Sequence, residues 1–154
     1  MKPVIYVVVN KALNMSAGKL AAQVGHAIVG TCARYRGTDL NDRWLRFPHR
    51  WMIILEAKDG EQLYYLYDYL LERRVTSYRV IDEGVNEIRP FSITALGVGP
   101  LDKDSDEAQY LSGLKLYSDN MRQQLSDATE RGFKNGVESR KWRNRFRILE
   151  FNPR

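Results

Sequence analysis

The chain has 154 residues, of which 44% are hydrophobic and 28% are charged. This length predicts one domain with its own core, and this composition argues against the disordered and membrane-spanning classes. The net charge is +5, and residues 118–154 carry +4 of it, from nine basic and five acidic residues. Attraction for a polyanion is therefore concentrated in the C-terminal segment, although charge alone also fits a solubilising surface.

The first half of the chain predicts two buried strands separated by helices. Residues 4–9 form a continuous β-branched and aromatic run, which is typical of a strand buried on both faces. Ser16 offers an N-cap hydroxyl to a helix over residues 17–34, and the polar segment after it predicts at most a short helix near residues 40–45. Residues 51–57 predict the second buried strand.

The next part of the chain predicts a helix, two strands and a short helix. Residues 76–82 and 93–99 read as strands three and four, joined by a wide hairpin, and residues 104–114 read as the short helix. The order of elements predicts the α/β class, as a three-layer α-β-α sandwich around a small mixed sheet of about four strands. The helix over residues 61–74 has a predicted core stripe of Leu63, Leu66, Tyr67, Leu70 and Leu71.

Residues 118–154 differ in character from the rest. Their first part has apolar residues at helical spacing, and residues 140–151 alternate apolar side chains with a cationic face, as a strand does. We therefore predict a domain over residues 1–117 and a basic C-terminal extension over residues 118–154, with a helix and an Arg-rich segment.

The N-terminus and the cysteine content indicate a reducing setting. The apolar run of MKPVIYVVVN is too short to span a bilayer and has no cleavage site. Cys32 is the single cysteine, so an internal disulfide is excluded, and we expect a buried, inert thiol. We expect the protein to work in the cytoplasm.

Three hydrogen-bonding side chains share one face of the first predicted helix. Lys19, Gln23 and His26 stand at i, i+4 and i+7. Lys19 lies in the first turn, where backbone N–H groups favour an anion such as a phosphate or a developing oxyanion. Gln23 can donate and accept at once, as a group that orients a water must. Each of the three alone also fits an ordinary solvated or structural helix residue.

Asp82 ends the third predicted strand, at the edge where α/β sheets bind ligands. If the first and third strands are parallel neighbours, Asp82 meets the start of the first helix there. A lysine, a histidine, an amide and a carboxylate could then activate a water toward an ester without a metal. Asp82 also fits a turn carboxylate that caps a neighbouring group, and Gly84 permits a tight turn.

Other catalytic motifs do not fit. Gly18-Lys19 is not a phosphate-binding loop, because Leu13 and Leu20 stand where that motif needs Gly and Ser or Thr. The sequence contains neither GxSxG nor HExxH. We therefore expect neither acyl-enzyme nor zinc chemistry, and no cofactor or metal.

Three stretches within residues 4–117, MSAGKLAAQVGHA, IDEGVNEIRPFSITALGVGP and LKLY, resemble the archaeal and eukaryotic type of peptidyl-tRNA hydrolase. The resemblance implies a four-stranded mixed sheet between helices, usually in a homodimer. It also implies metal-free hydrolysis of the ester that joins a peptide to the 3′ end of tRNA. By the same resemblance Lys19 contacts an anion, Gln23 and His26 are a polar pair, and Asp82 orients the water or relays its proton.

Two positions depart from the pattern of this family. Ala12 stands where the family usually has Asp, and Asn86 stands where it has Thr. Asn86 can still donate a hydrogen bond, and either Asn86 or Gln23 is expected to position the water. Removal of one preorganised group commonly costs about 10²–10³ in rate. The alternative is therefore a non-catalytic RNA- or protein-binding module on the same fold.

The segment after Tyr117 has no counterpart at the family's usual length. Its basic residues could contact the tRNA backbone, which adds salt-sensitive affinity without sequence information. In another interpretation, Trp142 and Phe146 pack on the domain or on a partner subunit. The residues expected to bind nucleic acid are Lys19, Arg140, Lys141, Arg143, Arg145 and Arg147.

Overall fold

The β-branched N-terminal run forms a central strand. In the computed structural model, which describes residues 2–118, β1 spans Pro3–Asn10 and every residue of it is buried. β2 (Met52–Ala57) pairs with it in parallel. On its other side β4 (Ser92–Asp102) is antiparallel to it, and β3 (Ser77–Asp82) is antiparallel to β4. The strand order is β2-β1-β4-β3, which confirms the predicted mixed sheet of four strands.

Helices cover both faces of the sheet, as predicted. Alternate residues of β1 point to opposite faces. Val4, Tyr6 and Val8 pack with α3 (Gly60–Glu72) and α4 (Asp106–Ser112), and their neighbours in β1 pack with α1 (Ala17–Arg34) and α2 (Asp39–Arg46). Among residues 2–118, no helix has both the length and the apolar character that a membrane span requires.

The structure meets one part of the condition on the first and third strands. The two are not neighbours, because β4 lies between them. β1 and β3 are nevertheless parallel to each other, because each is antiparallel to β4. Their carboxyl ends, Asn10 and Asp82, therefore lie at the same edge of the sheet, which is the property that the site requires.

Two predictions of burial also need correction. β2 is not a fully buried strand: it is the last strand of the sheet, its outer edge is paired only with residues 115–117, and Met52 is 49% exposed. Leu71 is 59% exposed and is not part of the core stripe of α3. The buried residues of α3 are Leu63, Leu66 and Leu70, at i, i+3 and i+7.

Cys32 lies on α1 and is half-buried rather than fully buried. Burial raises the pKa of its thiol above the usual value. A thiol with a raised pKa is less often ionised at neutral pH, and the thiolate is the reactive form. The structure therefore agrees with the expected unreactive cysteine.

α1 approaches the sheet most closely at Gly97 in β4. A Cβ atom at this position would overlap the hydroxyl of Thr31 and would stand 2.6 Å from the carbonyl oxygen of Ala27, both on α1. The backbone of α1 thus rests directly on β4. The absence of a side chain at Gly97 sets the distance between the helix and the sheet.

We expect Gly97→Ala to lower the free energy of unfolding by about 1–3 kcal/mol, because the methyl group must push α1 away from β4. Gly25→Ala is the matched control, since a Cβ atom at Gly25 on α1 meets nothing within 4 Å. This control is expected to raise stability by roughly 0.5–1 kcal/mol through helix propensity. Urea unfolding of both variants measures the difference, and equal stability of the Gly97 variant and the unmodified protein would contradict the packing argument.

Candidate active site

Lys19 and Asp82 form an ion pair at the carboxyl edge of the sheet. The ammonium of Lys19 lies 2.5 Å from Oδ2 of Asp82, and their side chains are only 14% and 8% exposed. Lys19 is placed by the first turn of α1, where the hydroxyl of Ser16 accepts a hydrogen bond from its backbone N–H, as the predicted N-cap should. Asp82 is the last residue of β3. The first helix and the third strand therefore meet here.

A buried chain of hydrogen bonds holds Asp82 from the other side. Nε2 of Gln23 donates to Oδ2 of Asp82 at 3.0 Å, and the hydroxyl of Thr94 lies 2.6 Å from Oε1 of Gln23. Since the carboxylate only accepts and the hydroxyl here donates, the amide of Gln23 has one orientation. Thr94 was not predicted as a site residue; its signal was a hydroxyl in the otherwise apolar run of residues 93–101 of β4.

The hydrogen bonds to Asp82 lower its pKa below the usual value. The largest cause is the hydrogen bond from Lys19, followed by the backbone N–H of Gly84, which donates to Oδ1 at 2.8 Å. The charge of Lys19 and the amide of Gln23 act in the same direction, whereas burial opposes them. Asp82 is therefore an ionised carboxylate at neutral pH, suited to orient a water rather than to remove its proton.

The loop after β3 is attached to the start of α1. The carboxylate of Glu87 accepts from the backbone N–H of Ser16 at 3.0 Å and from its hydroxyl at 2.5 Å. These bonds lower the pKa of Glu87. Gly84 has φ +76°, and Phe91 donates its backbone N–H to the carbonyl of Asp82 at 2.7 Å, which closes the loop at its other end. The contact through Glu87 was not predicted.

A cavity of about 470 Å³ opens beside these groups between α1 and β3. Lys19, Gln23, His26 and Asp82 all line it, so the predicted face of α1 does converge with the carboxylate. His26 is exposed and forms no hydrogen bond with Lys19 or Asp82. Seven residues of helix place it about 10 Å further along α1 than Lys19. The remaining walls come from the acidic Glu83 and from seven uncharged residues, which are Val29, Gly30, Ala33, Tyr78, Val80, Ile81 and Val85.

Asn86 is not brought to this cavity. It is exposed in the loop after β3 and does not line the cavity, so its role in positioning a water stays a prediction. Ala12 lies in the turn Lys11–Leu13 and donates its N–H to the side chain of Asn10. Within residues 2–118, no three His, Cys, Asp or Glu side chains are grouped to hold a metal ion.

The expected nucleic-acid contacts of the C-terminal segment lie outside the described residues. They are Arg140, Lys141, Arg143, Arg145 and Arg147. The same holds for Trp142 and Phe146. Their roles stay predictions.

We expect Thr94→Val to lower kcat about tenfold, because Oε1 of Gln23 loses its donor and the amide loses its single orientation. Leaving this buried acceptor unsatisfied is also expected to cost about 1–3 kcal/mol of stability. Thr94→Ser is the matched control, since it keeps the hydroxyl and should retain most of the activity. A Val variant with normal kcat would show that the orientation of Gln23 does not matter.

Comparison with known proteins identifies the family. A family model described as peptidyl-tRNA hydrolase PTH2 matches residues 3–117. The chain belongs to the PTH2 family of peptidyl-tRNA hydrolases. The match covers the whole α-β-α fold of this PTH2 member. It includes Lys19, Gln23, Asp82 and Thr94.

Individual PTH2 relatives agree with this result. The peptidyl-tRNA hydrolase of Methanopyrus kandleri is 38% identical over 95 residues, which cover 61% of this chain and 81% of that protein. The peptidyl-tRNA hydrolase of Pyrobaculum aerophilum is 33% identical over 111 residues, or 68% of this chain and 89% of that protein. The one from Methanothermobacter thermautotrophicus is 32% identical over 116 residues, or 75% and 99%.

Proposed function

We propose that Lys19, Gln23, His26 and Asp82 are the residues with which this chain hydrolyses peptidyl-tRNA. Hydrolysis itself follows from the family: the chain is a PTH2 peptidyl-tRNA hydrolase, which releases peptide and tRNA from the ester that joins them. The family match favours this enzyme over the non-catalytic binding module that the sequence left open. The observation that supports the residue roles is the ion pair of Lys19 with Asp82 in the wall of the cavity.

Asp82 positions the attacking water. A carboxylate has about four lone-pair sites, and Lys19, Gln23 and Gly84 occupy three of them. The fourth accepts a hydrogen bond from the water. The lowered pKa keeps this acceptor ionised at the pH of the cell.

Lys19 stabilises the negative charge that develops during the reaction. Its ammonium has three N–H donors, and within residues 2–118 Asp82 is the group that it contacts. The other two donors are directed to the substrate, where they bind the oxyanion of the tetrahedral intermediate or a neighbouring phosphate. A preorganised donor of this kind in a sheltered site is worth several kcal/mol.

His26 accepts the proton. A neutral imidazole has one nitrogen that accepts a proton, and His26 lines the cavity beside Asp82. The water oxygen bonds to the ester carbonyl carbon while its proton moves to the imidazole. The bond from that carbon to the ribose oxygen then breaks, and the imidazole returns the proton to this oxygen. No metal takes part in the proposed steps.

The test is release of the acyl group from N-blocked aminoacyl-tRNA in the presence of a chelator. We expect full activity of the unmodified chain with chelator, because every step uses side chains. His26→Asn should lower kcat by about 10²–10⁴, because the proton of the water loses its acceptor. His49→Asn, in the loop after α2, is the matched control. Loss of activity with chelator would overturn the metal-free mechanism, and an unchanged kcat of His26→Asn would overturn the role of His26.

Further parts of the proposal concern the whole protein. We assign residues 118–154 to a basic extension that contacts the tRNA backbone through the Arg-rich segment 140–147. Its deletion should weaken tRNA binding and reduce the salt dependence of that binding without changing kcat. We also propose that the protein works in the cytoplasm. We propose that it assembles as a homodimer, which sedimentation equilibrium would test directly.

A further inference from the structure

A second cavity, of about 330 Å³, lies where α1 and α3 end and β3 begins. Arg34, the last residue of α1, and Arg74, just after α3, both line it. Arg79 on β3 stands next to it, with its guanidinium 4.1 Å from the ring centroid of Tyr67, which also lines the cavity. We refer to Arg34, Arg74 and Arg79 as the arginine surface.

The arginine surface carries uncompensated positive charge. Within residues 2–118, none of its three guanidinium groups forms an ion pair with a carboxylate. Arg34 donates one hydrogen bond, to the carbonyl of Ser77 at 3.2 Å, and a guanidinium has five N–H donors. Most of its donors are therefore left for a ligand. Three like charges around one cavity favour an anion with several charges.

Aromatic rings orient two of these side chains, and an uncommon backbone conformation places the third. Arg34 lies over Tyr78 and Arg79 over Tyr67, and such stacking orients a guanidinium on an aromatic face. Arg74 has φ +58°, a left-handed conformation that is uncommon for any residue except glycine. Its backbone N–H donates to the carbonyl of Leu71 at 2.9 Å, which holds this turn.

The arginine surface is continuous with the catalytic cavity. Tyr78 lines the catalytic cavity on one side and lies beneath Arg34, a wall of the second cavity. Both cavities follow α1, and the fifteen residues from Lys19 to Arg34 span about 22 Å. When the ester of a nucleic acid lies at Lys19, its backbone several nucleotides from the ester can therefore reach the arginine surface.

We propose that the arginine surface binds phosphates of the acceptor stem of tRNA while the ester lies at Lys19 and Asp82. The proposal rests on the hydrolytic function and adds a second, remote contact that does not take part in the chemistry. Guanidinium groups suit this role because they bind phosphate oxygens in pairs and stay charged at every physiological pH. The contact supplies affinity and register along the stem and carries no sequence information.

The test compares two substrates in the triple variant R34Q/R74Q/R79Q. One is N-blocked aminoacyl-tRNA, and the other is the same acyl group on a short 3′-terminal oligonucleotide without a stem. For the tRNA we expect KM to rise about tenfold or more, kcat to stay unchanged, and the slope of log KM against log salt to fall by roughly 3. For the short substrate we expect kcat/KM to stay within about twofold of the unmodified value, because it does not reach the arginine surface.

The matched control is R43Q/R46Q/R50Q, which removes the same charge from α2 and the loop after it. It should change KM for tRNA by less than about threefold once ionic strength is set near 0.15 M, where distant charges are screened. Circular dichroism and the urea midpoint establish that both triple variants are folded. An equal loss in the control would reduce the effect to net charge.

An unchanged KM and salt slope for R34Q/R74Q/R79Q would overturn the proposal and would direct attention to an acidic protein as the partner of the arginine surface. A loss of kcat on the short substrate would also overturn it, since this would place the arginines in the chemistry. Failure of the proposed catalytic roles would look different. Substitution of Asp82 or His26 would then leave kcat unchanged, whereas tRNA binding would still depend on the arginine surface.

Discussion

Asp82→Asn is expected to lower kcat on N-blocked aminoacyl-tRNA by about 10²–10³ and to change KM by less than about threefold. The substitution keeps the size of the side chain but removes the charge that holds Lys19 and the acceptor that orients the water. Asn also presents an NH₂ group that competes with the donor of Gln23, so the buried chain to Thr94 is disturbed. Steady-state rates over a range of substrate concentration separate kcat from KM.

Asp68→Asn is the control for the loss of one negative charge, since Asp68 is exposed on α3. It should leave kcat unchanged. An Asp82→Asn enzyme with kcat within about threefold of the unmodified value would be incompatible with the proposed role of the carboxylate.

The lowered pKa of Asp82 also gives the sign of a pH effect on stability. The folded pKa lies below the usual value of about 3.9, so ionisation of Asp82 stabilises the folded chain at every pH above that value. This contribution is lost as the pH falls through the lower, folded pKa. The urea midpoints of the unmodified chain and of Asp82→Asn should therefore differ at neutral pH and converge in strong acid.

The second large effect is expected for Lys19→Met, which keeps the aliphatic stem and removes the ammonium. We expect kcat to fall by about 10²–10³, because the developing oxyanion loses its charged donor. Since the hydrogen bond from Lys19 is the largest cause of the lowered pKa of Asp82, this pKa should rise in the variant. The titration of the Asp82 carboxyl, followed by NMR, should then move to higher pH, which the loss of an exposed lysine would not produce.

Lys58→Met is the matched control, because the side chain of Lys58 is 87% exposed. Both variants lose one positive charge, so any general weakening of tRNA binding should be common to them. Equal kcat values for the two variants would show that the position of Lys19 beside Asp82 has no catalytic consequence.

Local patterns predicted most of the helices and strands, and they predicted which side chains share the face of α1 at the site. The apolar run of β1, the cap at Ser16 and the spacing of Lys19, Gln23 and His26 depend on neighbours within a few turns of chain, so the sequence was sufficient for them. The chemistry of the face of α1 was readable for the same reason. Its cavity follows from the fold.

Contacts between distant parts of the chain could not be predicted in this way. Thr94 meets Gln23 across 71 positions, and Glu87 meets Ser16 across another 71. Both contacts depend on where β3, β4 and the loop between them lie relative to α1, which is decided by the packing of the whole sheet. The hydroxyl of Thr94 stands out within the apolar residues 93–101 of β4, but no pattern in the sequence indicated its partner.

The close contact at Gly97 ties catalysis to the integrity of the entire domain. α1 lies directly on β4, so the helix that supplies Lys19 and Gln23 and the strand that supplies Thr94 form one solid body. The reacting groups on α1 and β4 therefore cannot separate by partial unfolding while the core stays folded. On heating, enzyme activity should vanish at the same temperature as the cooperative melting of the sheet, rather than several degrees before it.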